Sequence, residues 1–455
     1  MSGQNDHVRG TPALRLAHHT DGSMSTTYRP ARDRRNLASS LGVVRALVRL
    51  VCSFVSVKLT AVYLGPSGLA LVAQFNNFMT LCQSVVITGL ETAAARLTAE
   101  YGEDGERRRR LLGTVGKLGL ALGIPTALVV TAASPWLASW LLHDVEYAWV
   151  FVLGAISIPA AILNAVLLGA LSARGDIVRV VMSNIMATVL GVLIFAPASI
   201  RWGVTGALYA SAGIYFGSLL VTLLLIYRSS LISVRDFAGP FDRIEGRRIA
   251  GFYPMLIVHS VTAPLSLILI REHVASTLSL ESAGLWQACW RLSETYLMVV
   301  MSSVTTQFMV RLGESAKFPE RLRDEMLKTL GLAVGATVAM AVGIFLMRTW
   351  IVKVLFSSAF LPVTDFILVQ LVGDVLKITG ITLGYVLVAT LRSGWYITIE
   401  IVVPAIFLGM AHILGPDMGV PGVTTAYVIA GVVHCIISVV ALRDLIFIRG
   451  HNHER

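Results

Sequence analysis

Gln370, Asp374 and Lys377 stand four and three residues apart inside an apolar run from Ile367 to Thr390. The run is long enough to cross a bilayer as a helix, which takes about 20 residues. At that spacing the three polar groups share one helix face. A charge at bilayer depth costs roughly 2.5–3.5 kcal/mol on insertion scales, so the stripe must meet protein or water. It is either a buried Asp–Lys pair holding helices together or part of a polar pathway. An earlier stretch repeats the pattern: Gln287, Arg291, Glu294, Met298, Ser302 and Thr305 fall on one face, with Trp286 and Trp290 beside its opening turn. Arginine and lysine recognise phosphate as a planar fork and a point charge, and flat aromatic rings suit sugars or lipid tails. These groups fit an anionic amphiphile.

Other candidates sit on further apolar runs. Arg45 and Arg49 are one turn apart, with Lys58 nearer the far end of the same run. Arg45 can snorkel to the interface, whereas Arg49 and Lys58 lie about half a turn apart and cannot point the same way. The next run carries Gln74, Asn77, Ser84, Thr88 and Glu91. Its uncharged members suit contacts between helices, and Glu91 has Arg96 about a turn beyond it. Pro254 and Pro264 should bend a later run and make it a candidate gate, with His259 between them as a packing residue or a titrating one.

The elements that must position these residues are membrane helices. Mean hydropathy is +0.73, with 55% hydrophobic and only 14% charged residues among 455, the profile of a polytopic membrane protein. The expectation is all-α, with about twelve spans: 38–62, 68–90, 111–132, 147–170, 177–197, 203–226, 250–270, 284–309, 329–349, 365–390, 395–414 and 421–442. The net charge of +10 comes from arginine-rich segments that fall on one side if the N-terminus is inside, such as Arg107 to Arg110 and Arg243 to Arg248. Arg201, Arg271, Arg348 and Lys353 fall on the other side, an imbalance that predicts N-in, C-in topology rather than a nucleic-acid partner. Cys52, Cys82, Cys289 and Cys435 have no paired spacing, so no disulfide framework, metal site or cofactor is expected. Residues 1–36 read as a basic cytoplasmic tail, with Met24 an alternative start.

The chain also repeats itself. Gly68-Leu69 matches Gly284-Leu285, and Gly203-Val204-x-Gly206 matches Gly419-Val420-x-Gly422, both 216 residues on; Trp136-Leu137 matches Trp350-Ile351 at 214, and Leu171 matches Leu391 at 220. Six helices followed by six in the same sense form a parallel repeat, which places a substrate route between the halves. The expected units are 37–227 and 249–442, joined by a cytoplasmic linker at 228–248, with a tail at 443–455. No phosphate loop, dinucleotide glycine run or nucleophile elbow occurs, and the loops are too short for a catalytic domain.

Gly284-Leu285-Trp286-Gln287, the stretch Gln370-Leu371-Val372-Gly373-Asp374-Val375-Leu376-Lys377, and Gly384-Tyr385 resemble the Wzx-type flippases of the multidrug/oligosaccharidyl-lipid/polysaccharide exporter superfamily. Lys58-Leu59 and Gly65-Pro66-x-Gly68-Leu69 add to the likeness, which covers the chain from about residue 37. The resemblance implies a V-shaped fold of two six-helix lobes in the bacterial inner membrane. It implies an undecaprenyl-diphosphate-linked oligosaccharide as substrate, moved from the cytoplasmic to the periplasmic leaflet, with a polysaccharide polymerase and chain-length regulator as partners. On that basis Arg291, Lys377, and Arg49 or Lys58 would hold the diphosphate, with Gln287 and Gln370 beside them. Trp286, Trp290 and Tyr385 would meet sugars, Glu294, Asp374 and Glu91 would set charge states, and Pro254 and Pro264 would gate. The alternatives are a multidrug or cation antiporter of the same superfamily, which needs an acid-lined cavity, and a polyprenyl-linked glycan polymerase or glycosyltransferase, which needs a large outer loop.

Overall fold

The computed structural model describes residues 31–101, 104–227, 239–250, 253–315 and 318–446. The side chains of residues 31–40 and of Glu91, Arg96, Pro254 and His259 lie outside the described set, as do the expected tails before residue 31 and after 446 and linker residues 228–238. The described residues contain helices and no strand.

The helices are α1 (Ala31–Tyr63), α2 (Gly65–Tyr101), α3 (Gly105–Ala132), α4 (Ser134–Leu141), α5 (Ala148–Ala173), α6 (Ile177–Tyr227), α7 (Arg243–Ala250) and α8 (Tyr253–Thr277). They continue with α9 (Leu280–Ser315), α10 (Pro319–Leu346), α11 (Arg348–Leu355), α12 (Val363–Ala389), α13 (Ser393–Met418), α14 (Val420–Ala441) and α15 (Arg443–Ile446). Among the described residues, nine helical segments are long and apolar enough to cross a bilayer. α2 and α9 overrun their expected inner ends, and α1 begins inside the stretch read as tail. Hydropathy registers only the apolar crossing, and helix-forming residues carry the backbone on past it.

The repeat is written in the backbone. α6 turns sharply at Gly203 (φ 59°, ψ −140°), and Gly419 between α13 and α14 adopts nearly the same angles (φ 67°, ψ −147°), a region open in practice only to glycine. Three residues on, a Cβ at Gly206 would lie 2.1 Å from the Ala198 carbonyl oxygen, and one at Gly422 would lie 2.2 Å from that of Leu414. One of the expected matches shifts. Leu171 corresponds to Leu387 rather than Leu391: Asp176 N–H donates to the Leu171 carbonyl at 3.1 Å and Arg392 N–H to that of Leu387 at 2.9 Å. Leu391 instead occupies the place of Gly175, and both have positive φ, 57° and 73°. The two helices end in the same left-handed cap.

Each half has its own core. One cluster packs α9, α10, α12, α13 and α14 around Trp286, Phe308, Phe356 and Phe360. The other packs α2, α3 and α5 around Phe75, Met79 and Phe151. α8 belongs to both, since Ile268 joins the first half's cluster and Ile270 and Val274 the second's. The halves converge where α1 turns into α2. There a Cβ on Gly284 would come within 1.9 Å of the Pro66 carbonyl oxygen, and Lys58 donates to the carbonyls of Lys353 (3.0 Å) and Phe356 (2.5 Å). Trp136, Trp149, Trp202 and Trp350, each 60–70% exposed, gather at this same end, as interfacial belts do. At the opposite end of α1, residues 42–47 are all exposed. Six residues exceed a full helical turn, so among the described residues no helix packs against that stretch of α1.

Candidate functional site

A cavity of about 430 Å³ opens between the halves, walled by α1, α2, both arms of α6, α8 and α9. That is within the range of about 300–1,000 Å³ usual for ligand pockets. Its charged lining is Arg49, Arg271, Arg291 and Glu294, with Ser53, Asn76, Asn77 and Gln287 among the neutral polar groups. α1 presents Arg49 and Ser53 one turn apart on one face. α9 presents Gln287, Arg291 and Glu294 on its own face, as the spacing predicts. Arg291 donates to Ser53 Oγ at 2.9 Å across the gap and to Glu294 Oε2 at 3.3 Å. Trp290 Nε1–H donates to the other Glu294 oxygen at 2.9 Å, so the carboxylate is fixed from two sides and keeps the guanidinium extended toward α1.

Arg271 is the member of the site that sequence reading placed on the outer face. Its run of apolar residues stops at Ile270, so a charge next to it looked interfacial, but α8 continues to Thr277 and carries Arg271 inward. It is 1% exposed. It donates to Gln74 Oε1 of α2 at 2.7 Å and to Gln287 Oε1 of α9, and lies 5.7 Å from the centre of the Trp286 ring. The spacing of Gln74 on the polar face of α2 was the available hint that this helix had a buried partner.

A second polar cluster lies within the α9–α14 half, outside the cavity lining. Asp374 of α12 is fully buried and accepts from Ser293 Oγ (2.6 Å), Tyr296 Oη (2.8 Å) and Tyr427 Oη (2.9 Å). Gln370, also fully buried, donates to Ser293 at 3.2 Å. Lys377 sits 4.5 Å above the Trp290 ring and 5.8 Å from that of Tyr427. Asp374 and Lys377 therefore share a face without forming a contact ion pair: the carboxylate is held by hydroxyls and the ammonium by aromatic faces. Trp290 stands between the layers, one face toward Lys377 and its N–H on Glu294.

The remaining expected residues separate. Lys58 is committed to carbonyls at the convergence of the halves, and Trp286 is fully enclosed beneath Arg271. Tyr385 packs against the core of the second half. α8 runs unbroken through Pro264. Ser84 and Thr88 meet Ser260 of α8 at 2.9 and 3.2 Å, so that part of the α2 stripe joins helices. The side chains of Glu91 and Pro254 lie outside the described residues.

A family model described as polysaccharide biosynthesis protein matches residues 38–308. The chain belongs to that family. The lipid III flippase of Escherichia coli (strain K12) is 25% identical to it over 397 residues, 87% of this chain and 95% of that protein. The lipid III flippase of Shigella flexneri gives the same figures. Among solved structures, the inward-facing conformation of a multidrug resistance MATE family transporter of the MOP superfamily superposes with a TM-score of 0.75 at 16% identity. It matches 88% of this chain and 98% of its own. The lipid II flippase MurJ in its inward closed conformation follows at 0.72 and 15%, over 90% and 87% of the two chains. At such identities the superpositions show a shared fold, and that fold is the MATE-like one.

Proposed function

We propose that this protein is a flippase that carries an undecaprenyl-diphosphate-linked oligosaccharide from the cytoplasmic to the periplasmic leaflet of the bacterial inner membrane by alternating access. The observation that carries the reading is the charge of the central cavity, three guanidiniums against one carboxylate. A diphosphate diester has one negative charge on each phosphate, and the lining leaves two positive charges uncompensated. An ion entering hydrocarbon unassisted faces tens of kcal/mol. Arg49 and Arg291, on opposite walls, would replace its hydration with charge-assisted hydrogen bonds. Glu294 orients Arg291, Gln287 adds a neutral contact, and Trp290, 6% exposed and packed against Lys377 and Phe407, steadies Glu294 instead of meeting a sugar. The open flank beside residues 42–47 of α1 leaves the polyprenyl tail in the bilayer. Asp374 and Lys377, behind Trp290, would set the charge of the second half as the halves rock.

The family match and the lipid III flippases that resemble most of the chain support this reading. The positive-inside pattern supports an orientation with the joined end of the halves outside and the cavity mouth inside, the state that would load from the cytoplasm. The exported glycan is what a polymerase and chain-length regulator would consume. A cation antiporter would need acids in the cavity, where Glu294 stands among three arginines.

The test is Arg291→Ala in proteoliposomes carrying a fluorescent undecaprenyl-diphosphate oligosaccharide. Translocation should fall to background while the protein remains inserted and abundant. Normal translocation by that variant would remove Arg291 from the site, and cationic drug efflux without a glycan defect would replace the reading with an antiporter.

A further inference from the structure

Buried arginines normally meet carboxylates, because an uncompensated charge in the interior costs several kcal/mol. Arg271 does not. Among the described residues no acid is in ion-pair contact with it, and its Nε has no hydrogen-bond partner. Two neutral amides hold it, one from each half of the molecule. Gln74 is itself oriented, since its Nε2–H donates to the Ile268 carbonyl at 3.2 Å and turns Oε1 toward the guanidinium. Arg271 lines the central cavity, while Gln74 does not. A full positive charge is thus kept at the cavity wall by dipoles that are weaker partners than any anion.

We infer that Arg271 is a third anion anchor of the transport site, held in reserve by Gln74 until a diphosphate displaces that amide. The inference rests on the flippase reading and deepens it by naming the deepest contact to the substrate's charge and the group that competes for it. On arrival of the diphosphate, Arg271 exchanges the Gln74 oxygen for a phosphate oxygen. The hydrogen bond between α2 and α8 is lost, and with it one tie between the halves. The Nε–H is buried away from the cavity, so the phosphate oxygen takes the terminal N–H now held by Gln74, and substrate binding and loosening of the halves become a single event.

The experiment is a titration of the full-length protein in lipid nanodiscs with undecaprenyl diphosphate, with undecaprenyl monophosphate as comparison. Arg271→Gln, which keeps a hydrogen-bonding chain among the two amides, should weaken diphosphate binding by about tenfold or more, the scale of a lost charge-assisted contact. The monophosphate should be affected less. Gln74→Glu, which gives Arg271 an acid of the same shape, should also weaken the diphosphate although residue 74 does not line the cavity. It should have no further effect when Arg271 is already glutamine. A purely structural arginine would lower the unfolding temperature in Arg271→Gln and leave affinity untouched, which overturns the inference, as would native affinity in Gln74→Glu. Arg291→Ala run alongside separates the two levels. If it abolishes binding while Arg271→Gln binds normally, only the role of Arg271 falls; if both bind normally, the anionic-substrate reading falls as well.

Discussion

Arg49 and Lys58 share a helix and do unrelated things. Their spacing already put them on different faces. It did not reveal that Lys58 meets the carbonyls of Lys353 and Phe356, because backbone acceptors almost 300 residues away leave no mark in a side-chain pattern. Asp374 shows the same limit. Its face and its burial were legible from the cost of a charge in an apolar run, but its partners were not: Ser293 and Tyr296 come from α9, Tyr427 from α14, and none is charged. The cage makes a prediction. Asp374→Asn turns part of an acceptor of three hydroxyl donors into a donor, so at least one buried O–H loses its partner. The cost should be about 1–3 kcal/mol, seen as a lower unfolding temperature in detergent, whereas Asp365→Asn at the exposed start of α12 should change little.

At the level of the element, the stretches expected to span fall in helices wherever they are described, nine of the described helical segments being long and apolar enough to cross a bilayer and α6 covering two expected stretches across Gly203. The short helices α4 and α11 did not stand out, because eight residues are too few to show a period. The repeat was legible where glycine or tryptophan marked it, since Trp136 and Trp350 each stand third in their short helices, and misaligned only at the leucines. Leucine is common, so Leu391 was matched to another leucine, although its backbone does what Gly175 does. A non-glycine residue held at φ 57° stores of order 1–2 kcal/mol. Leu391 is 85% exposed and has little packing to lose, so Leu391→Gly should be stabilising by up to about 1 kcal/mol in thermal unfolding. One residue on, Arg392 pairs through both terminal nitrogens with Asp444 just past α14. Hydrogen bonding to that guanidinium lowers the Asp444 carboxyl to about 2. A depressed carboxylate contributes stability above its unfolded value of about 3.9 and loses it as pH falls through 2. Asp444→Asn should therefore cost at most about 0.5 kcal/mol for so exposed a pair, by the same amount at every pH from 5 to 9, and the difference from native should vanish near pH 2.

The molecule as a whole depends on being joined at one end and open at the other. That was half legible. The 216-residue offset and the polar stripes predicted two halves with a charged space between them. Which stripes would face that space depended on how the halves lean together, a matter of close approach between backbones. Gly284 is where that approach is tightest, against Pro66 of the other half. Any side chain there meets a carbonyl rather than a flexible group, so the helices must separate for it to fit. Gly284→Leu should thus disfavour the joined arrangement without disturbing either core. Spin labels at Tyr63 and Ser279, one on each half near the contact, should report a longer and broader distance than in the native protein. Alternating access needs both arrangements, and a molecule that cannot close this end cannot return to load. Translocation should then fall by roughly tenfold or more, a barrier change of at least about 1.4 kcal/mol, with thermal stability nearly unchanged. Gly331→Leu, on α10 with nothing within 4 Å of its added carbon, should leave both the label distance and translocation as they are.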